Sequence, residues 1–551
     1  MLKKIRAYLK QIKADAIVVP HNDSFFNEDL RPEDERLAFL TGFTGSAGLA
    51  VITQKKAVLF VDGRYTLQAK KQTTFEVLHV PKQTTVSKWL SLNLKKGDTL
   101  VYDPWTLSVV QIDKWTALLE KNKIKALKEN PVDKFWLTRP KAQPMCEYTY
   151  PQKYAGKTTK EKLKEILPVL KQTDAFVLCN ADTVSWLLNK RSDAVQYNPV
   201  FLERLIVEAN GNLATFNEKN VLTLKGKKVG IDVYETPQAV KQMLEEAGAF
   251  VESVNNPFLS FQSRKNAAEL KGLLTAGILD SIALCQFFAC LPAKIKTHNE
   301  YDVMVFLEEF RKKNPLYRFK SFADISAVDK NAALPHYQAS ERKAEKLSKA
   351  CIYLLDTGGQ YWCGTTDMTR TVCLSKPTQE MKDRYTQVLK GHIALANAVF
   401  PNGTKGGSLD VLARQFLWKN GADFDHGTGH GIGCFLNVHE TPPAISPNNQ
   451  DVLTEGMVLS DEPGFYEAGK FGIRIENMMK VIKAPKQKGF LKFEMLSFVP
   501  FCNELIEKSI LTNDEKTWIN LYYKQIMKNI YPNVNKETQK WLEAQMKDWL
   551  D

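Results

Sequence analysis

Carboxylates set in apolar, β-like runs constrain this chain more than any other feature, because an acid among aliphatic side chains needs a partner to be tolerated. Ile352-Tyr353-Leu354-Leu355-Asp356-Thr357-Gly358-Gly359-Gln360-Tyr361 leads into Gly364-Thr365-Thr366-Asp367-Met368-Thr369-Arg370-Thr371-Val372, two β-like runs joined by a glycine turn. This is a hairpin with a carboxylate on each arm. Val458-Leu459-Ser460-Asp461-Glu462-Pro463-Gly464 and Gly472-Ile473-Arg474-Ile475-Glu476-Asn477 repeat the arrangement with two glutamates. Strand alternation puts Ile473 and Ile475 on one face there, Arg474 and Glu476 on the other. Between the hairpins lies His426-Gly427-Thr428-Gly429-His430-Gly431, whose alternating glycines disfavour a helix and let backbone come close to a ligand.

Four carboxylates brought together with one imidazole would repel by several kcal/mol at a low effective dielectric unless something positive sat among them. Two divalent cations balance that charge. An oxygen-rich set with a single His suits Mn²⁺ or Co²⁺, and less specifically Zn²⁺ or Mg²⁺, better than a thiolate-selecting metal. The chemistry such a pair implies is hydrolysis, with an activated water and a polarised carbonyl. Taken singly, each residue has a plainer reading: Asp356 as a turn-facing acid, Glu462 as the mark of a turn before Pro463, His430 as a loop or core histidine. The residues alone leave both readings open.

Length and composition bound the rest. With 551 residues, 44% of them hydrophobic and 25% charged, the chain has ordinary globular composition, and at roughly 100 to 200 residues per domain it predicts about three to five domains. The net charge of +13 comes from lysines strewn along the chain without a zinc-finger or RNP pattern, so a solvated surface is expected and no nucleic-acid partner. The N-terminus has lysines at helical spacing and no apolar run before a small-residue cleavage site, so no signal peptide is read. Ala267 to Leu291 is the most apolar long stretch, but Lys271 and Asp280 interrupt it and Pro292 is expected to end it, so a buried helix is read and no membrane span. Nine cysteines without a CxxC pair fit free thiols in a reducing compartment and a cytoplasmic location.

An internal repeat organises the first half. Leu9-Lys10-Gln11-Ile12-Lys13-Ala14-Asp15-Ala16-Ile17-Val18-Val19 is echoed by Leu170-Lys171-Gln172-Thr173-Asp174-Ala175-Phe176-Val177-Leu178, each a helix end running into an apolar strand. Two related α/β modules are expected, over 1–140 and 157–255. Arg139-Pro140 to Gly156 reads as a linker, and a second break falls near Asn255-Asn256-Pro257. Leu270, Leu274 and Ile278 mark a helix that opens a third domain over 258–551, ending in a helical extension where Trp518, Tyr522, Tyr523 and Trp541 fit packing or a dimer contact.

Four motifs fail on inspection. Gly156-Lys157-Thr158 lacks the first glycine of a phosphate loop, since position 151 is Pro151. Thr44-Gly45-Ser46-Ala47-Gly48 lacks the first glycine of a nucleophile elbow. Gly427 to Gly433 has Ile432 where a dinucleotide fingerprint needs its third glycine. His439-Glu440 cannot complete HExxH, because position 443 is Pro443 and Pro442-Pro443 would stop the helix.

The acidic constellation, in its order along the chain, resembles the pita-bread metallopeptidases, and within them the Xaa-Pro aminopeptidase (aminopeptidase P) family in its long three-domain form. The resemblance also takes in Phe39 to Gly48, Asp62-Gly63-Arg64-Tyr65, Trp186-Leu187-Leu188-Asn189 with Tyr197 to Phe201, His336-Tyr337, Val388 to Leu395 and His426 to Glu440. It implies an α/β (α+β) fold of two creatinase-like N-terminal modules followed by a pita-bread catalytic domain. It implies metal ligands at Asp356, Asp367, His430, Glu462 and Glu476 holding two divalent ions, Mn²⁺ first, with Co²⁺ or Zn²⁺ as alternatives. A dimetal-bridging hydroxide is then the nucleophile, Glu462 its proton acceptor and shuttle, and His439 the donor to the tetrahedral oxyanion. His336 and His426 line the pocket and orient substrate. Arg64 reaches the peptide beyond the scissile bond, from its own subunit or from a partner, and Arg474 pairs with the carboxylates.

Two positions depart from the family pattern, Thr441 after His-Glu and the Asp329-Lys330 turn, and neither falls on an expected ligand. His392 is read as structural. The expectation is a cytosolic homodimeric metalloaminopeptidase that removes the first residue from peptides with proline second. A prolidase acting on Xaa-Pro dipeptides is the near alternative. A catalytically inactive binding scaffold is the distant one, opposed by the presence of all five ligands.

Overall fold

Both copies of the repeat fold as a helix delivering its chain to a central strand. Leu2–Gln11 leads to strand Ala16–Pro20, and Thr159–Ile166, started by a capping box between Thr158 and Glu161, leads to Ala175–Leu178. This computed structural model describes residues 1–170 and 172–550. Lys171 in the second copy of the repeat, and Asp551 at the end of the expected third domain, lie outside the described residues.

The two sheets built around these strands share one plan. Ala16–Pro20 pairs antiparallel with Leu49–Thr53 and parallel with Thr99–Tyr102. Ala175–Leu178 likewise pairs antiparallel with Leu205–Glu208 and parallel with Lys228–Ile231. Beyond them, Ala57–Val61 and Lys123–Ala126 flank the first set as Leu213–Thr215 and Phe250–Ser253 flank the second. The first sheet adds a sixth strand, Glu76–His79. The central strands are buried along their length, as their unbroken apolar runs require.

The chain divides into one compact unit of Met1–Tyr150 with Lys157–Phe258, and a second of Pro151–Gly156 with the chain from Leu259 on. The stretch read as a linker is therefore partly structured: Glu147–Thr149 pairs with Lys190–Ser192, and Gln152–Ala155 forms a short helix of the second unit. Local backbone pairing outweighs the proline content there.

In the second unit, helix Ala267–Lys294 starts on a capping box between Asn266 and Glu269 and buries Leu273, Ala276, Leu284, Phe287 and Leu291. It runs two residues past Pro292, because a proline in the last turn removes one hydrogen bond without stopping the final residues. Its length and apolarity would suffice for a membrane span, yet more than half of that stretch is buried against the rest of the chain. Gly272 and Gly277 lie so close to the backbone of Cys363 and Leu496 that a Cβ at either would collide. The C-terminal helices Asn513–Asn529 and Lys536–Met546 pack inward, Trp518 stacking on Tyr522 with ring centroids 5.4 Å apart.

Two nested hairpins form the heart of this unit. In the first, Ile352–Thr357 pairs with Met368–Cys373 as an outer pair, and Gly359–Tyr361 with Gly364–Thr365 as an inner one. In the second, the outer pair is Val458–Asp461 with Asn477–Lys483 and the inner pair Gly464–Glu467 with Phe471–Arg474. Asp367, Glu462 and Glu476 fall at junctions between outer and inner strands, and Asp356 is the next-to-last residue of its outer strand, just before such a junction.

Candidate metal centre

The four acids and His430 converge. The ligand atoms of Asp367, His430 and Glu476 lie within 4.8 Å of one another. His430 Nε2 stands 3.3 Å from Asp367 Oδ2 and 3.4 Å from Glu462 Oε1. Asp356 and Glu462 both act electrostatically on Glu476. Burial, followed by Asp367 and the other acids, holds the Glu476 carboxyl well above its usual range. Burial also pushes Asp356 up to about 7, against the pull of Arg474 and with the push of Asp367 and Glu462. Glu462 is raised by burial too, with His430 drawing it back and Asp367 adding to the rise.

The surrounding chain aims these groups. Strand Gly429–Gly431 runs beside Val458–Asp461 and Glu440–Ile445, and a Cβ at Gly429 or Gly431 would strike the backbone of Ser460 or Glu440. The glycines expected to let backbone approach a ligand thus serve first to let strands approach each other. His430 Nδ1 donates to the Gly431 carbonyl at 2.9 Å, which turns a lone pair on Nε2 toward the acids. Ser460 Oγ accepts the His430 N–H at 3.0 Å and donates to Glu462 Oε1 at 3.3 Å. Thr369 Oγ1 donates to Glu476 Oε2 at 2.7 Å. Arg370 donates to the Glu476 carbonyl at 2.6 Å and to Asn477 Oδ1 at 2.8 Å, fixing the backbone behind that carboxylate.

Asp356 tests whether the set suits cations. Its Oδ2 accepts Arg474 Nη2 at 2.6 Å, while its buried Oδ1 has no hydrogen-bond partner among the described residues. One guanidinium and one imidazole leave four clustered carboxylates short of positive charge, and the donor set of carboxylate oxygens with one imidazole nitrogen suits hard or borderline divalent ions. The residues fit.

The other expected residues divide between the two units. His439 stands edge-on to His430, ring centroids 4.4 Å apart, and acts electrostatically on Glu462. Glu440 beside it is anchored by a buried ion pair with Lys265 and by Gln262 at 3.1 Å, in a strand, as the failed zincin motif requires. His426 Nδ1 donates to the Gly427 carbonyl, its Nε2 meets the Tyr466 hydroxyl at 2.8 Å, and its ring nitrogen lies 3.9 Å from Glu462. His336 is half-buried in the turn whose Pro335 carbonyl accepts Arg474 Nη2 at 3.4 Å. Arg64 belongs to the first unit, where it forks onto Asp62 at 2.8 and 3.1 Å.

Tyr466 carries no motif that marks it in the sequence. Its hydroxyl accepts Arg474 Nη1 at 2.6 Å and meets His426 Nε2, making a chain from Asp356 through Arg474 and Tyr466 to His426. The signal was strand alternation: Gly464 and Tyr466 share a face, and the glycine leaves room for the tyrosine ring. Thr369 and Ser460 were likewise passed over, since lone hydroxyls in strands carry no distinctive spacing.

A buried cage of oxygen ligands between paired hairpins, in a unit that follows two α/β sheets of common plan, defines the class of a metal-dependent hydrolase. The chain belongs to metallopeptidase family M24, matched over residues 271–483, with the C-terminal region of that peptidase family at 489–549 and creatinase/prolidase N-terminal domains at 1–135 and 138–224. It is 36% identical to a probable Xaa-Pro aminopeptidase P of Pyrenophora teres f. teres, over 99% of this chain and 92% of that protein. It is 35% identical to Xaa-Pro aminopeptidase 1 of Dictyostelium discoideum, over 99% and 96%. The crystal structure of X-prolyl aminopeptidase from Caenorhabditis elegans, described as a cytosolic enzyme with a di-nuclear active site, is similar with a TM-score of 0.93 and 31% identity, covering 99% of this chain and 98% of that one.

Proposed function

We propose that this chain is a metal-dependent aminopeptidase that releases the N-terminal residue from peptides with proline in the second position. The observation that carries the hydrolytic reading is the convergence of Asp367, Glu462 and Glu476 on the open nitrogen of His430, with Asp356 acting on the same cluster. Proline selectivity rests on full-length similarity to Xaa-Pro aminopeptidases. In this reading Asp356, Asp367, His430, Glu462 and Glu476 hold two divalent cations, Mn²⁺ first, which when bound supply a water acidic enough to ionise near neutral pH and polarise the scissile carbonyl.

The chain's own groups do the remaining work. Glu462 accepts the proton of the attacking water and passes it to the leaving amine. His439, beside His430, donates to the oxyanion of the tetrahedral intermediate. Arg474 and Tyr466 hold Asp356 at one end and the His426 ring at the other, so His426 and His336 present fixed edges to substrate. Arg64 serves the peptide beyond the scissile bond. The chain reads as three parts, 1–140, 157–255 and 258–551, acting as a cytoplasmic homodimer.

Comparing Xaa-Pro dipeptides with Xaa-Pro-Xaa peptides tests the specificity. Cleavage of the longer peptides at the first bond is expected, and turnover of dipeptides alone would make the protein a prolidase. Metal analysis of protein purified without added ions should find two equivalents, and an ion-free protein with full turnover would end the reading.

A further inference from the structure

Away from the metal centre, two cysteines far apart in sequence share one contact. Strand Met368–Cys373 ends at Cys373, whose backbone N–H donates to Cys502 Sγ at 3.3 Å across a separation of 129 residues. The Cys373 side chain also acts electrostatically on the Cys502 thiol. Cys373 is half-exposed, beside the exposed Ser375 and Lys376, while Cys502 is buried. The Cys502 thiol donates to the exposed carboxylate of Glu504 at 3.3 Å. Neither sulfur belongs to the proposed catalytic groups.

We propose that Cys373 and Cys502 form a reversible dithiol–disulfide couple, a modification site that takes hydrogen peroxide as its oxidant. The Cys373 sulfur attacks one peroxide oxygen, forming an S–O bond as the O–O bond breaks and water leaves. The Cys502 sulfur then attacks the Cys373 sulfenic acid, forming the S–S bond as the S–O bond breaks, and its proton passes to Glu504 and on to the departing hydroxide as a second water. Two thiols and one peroxide thus become one disulfide and two waters, and an external dithiol reverses the reaction.

Cys351 is the competing partner, and strand register removes it. Ile352 pairs with Cys373, so Cys351, one residue earlier, turns to the opposite face of the pair. Its sulfur is engaged with the Lys376 carbonyl at 3.2 Å. Cys373, the half-exposed member of the pair, is the first site of attack, and the buried Cys502 is the resolving thiol.

Peroxide treatment of the full-length, metal-loaded protein followed by non-reducing peptide mass spectrometry tests this. A Cys373–Cys502 linked peptide, abolished by dithiothreitol, is expected, together with a melting temperature raised by about 5 °C because the bond closes a long loop of the unfolded chain. Cys351→Ser should leave the linkage intact. Cys502→Ser should instead leave Cys373 as a sulfenic acid trapped by dimedone. If the serine variants fail to fold, mapping of the wild-type chain alone still decides. A linkage through Cys351, or unlinked Cys373 and Cys502 after peroxide, overturns the proposal.

Discussion

Asp280 and Asp356 are both buried acids beside the same nested hairpin, and they are treated in opposite ways. Asp280 receives four donors: Arg311 Nε at 2.7 Å and Nη2 at 3.2 Å, the Tyr361 hydroxyl at 2.9 Å and Thr366 Oγ1 at 2.9 Å. Asp356 has one guanidinium at one oxygen and three other carboxylates nearby. Thr357 and Thr366 serve the Arg311–Asp280 knot, while their sequence neighbours Asp356 and Asp367 join the acidic cluster around His430. Adjacent residues of the hairpin, Asp356 with Thr357 and Thr366 with Asp367, thus serve the two different acidic centres. A buried charge with all its partners is structure, whereas a buried cluster lacking them is poised for an ion that arrives from outside.

Breaking the unsatisfied side should have the largest effect on function. Glu462→Ala or His430→Ala is expected to lower turnover by at least about 10³-fold, the size of losing a preorganised electrostatic group, with circular dichroism and the metal-free melting profile largely retained. Unchanged turnover in the metal-replete variant would remove these residues from the site. Breaking the satisfied side should act on stability instead. Asp280→Asn takes the nearer counter-charge from the fully buried Arg311, leaving only Asp324 at 3.7 Å, and should cost about 3 kcal/mol in chemical denaturation. A variant as stable as wild type would show that the two acids do not differ as argued.

The acidic cluster is legible in the sequence and the Asp280 knot is not, because its donors Arg311, Tyr361 and Thr366 come from elements far apart in the chain. Asp356, Asp367, Glu462 and Glu476 stood out because acids are rare in apolar strands, and His430 because glycines flanked it. The repeat at Leu9 and Leu170 announced two sheets of one plan, because a helix end followed by an aliphatic run is a local signal. Tyr466, Thr369 and Ser460 gave none, since their roles come from strands far apart in sequence that meet only in the fold. Arg474 was read as a partner of the carboxylates, but its bridge to His426 depends on that same unseen tyrosine. The stretch 139–156 misled because prolines were weighed as loop signals while the strand partner of Glu147–Thr149 lay some forty residues on.

A finer test separates ligands from the groups that aim them. Thr369→Val removes the hydroxyl that donates to Glu476 Oε2 while keeping the side chain's volume. Metal affinity measured by titration calorimetry should fall by about 10- to 100-fold, as for other groups that orient a ligand, with turnover recovered at saturating metal. Failure to recover would place Thr369 in the chemistry itself.

The smallest expected effect is the most diagnostic, because it changes sign with metal. In chelated protein the Glu476 carboxyl sits well above its usual 4.5, pushed by burial and then by Asp367, Glu462 and Asp356. A raised folded value means that the native state binds more protons than the unfolded one, so stability from this group is present at low pH and is lost as pH rises above about 4.5. Glu476→Gln resembles the protonated acid at every pH. Metal-free Glu476→Gln and metal-free wild type should therefore melt close together at pH 5, and the substituted protein should melt higher by a growing margin toward pH 8. Saturating divalent cation should reverse the order at pH 8, because the ion supplies the charge that the wild-type cage lacks and the amide cannot replace a carboxylate ligand. For Asp280→Asn the same scan predicts a lower melting temperature than wild type with and without metal, since its counter-ion, Arg311, belongs to the chain. A Glu476→Gln protein that melts below wild type in chelator at pH 8 would mean that the cage is held together by its own hydrogen bonds, and the distinction between the two acidic centres would fail.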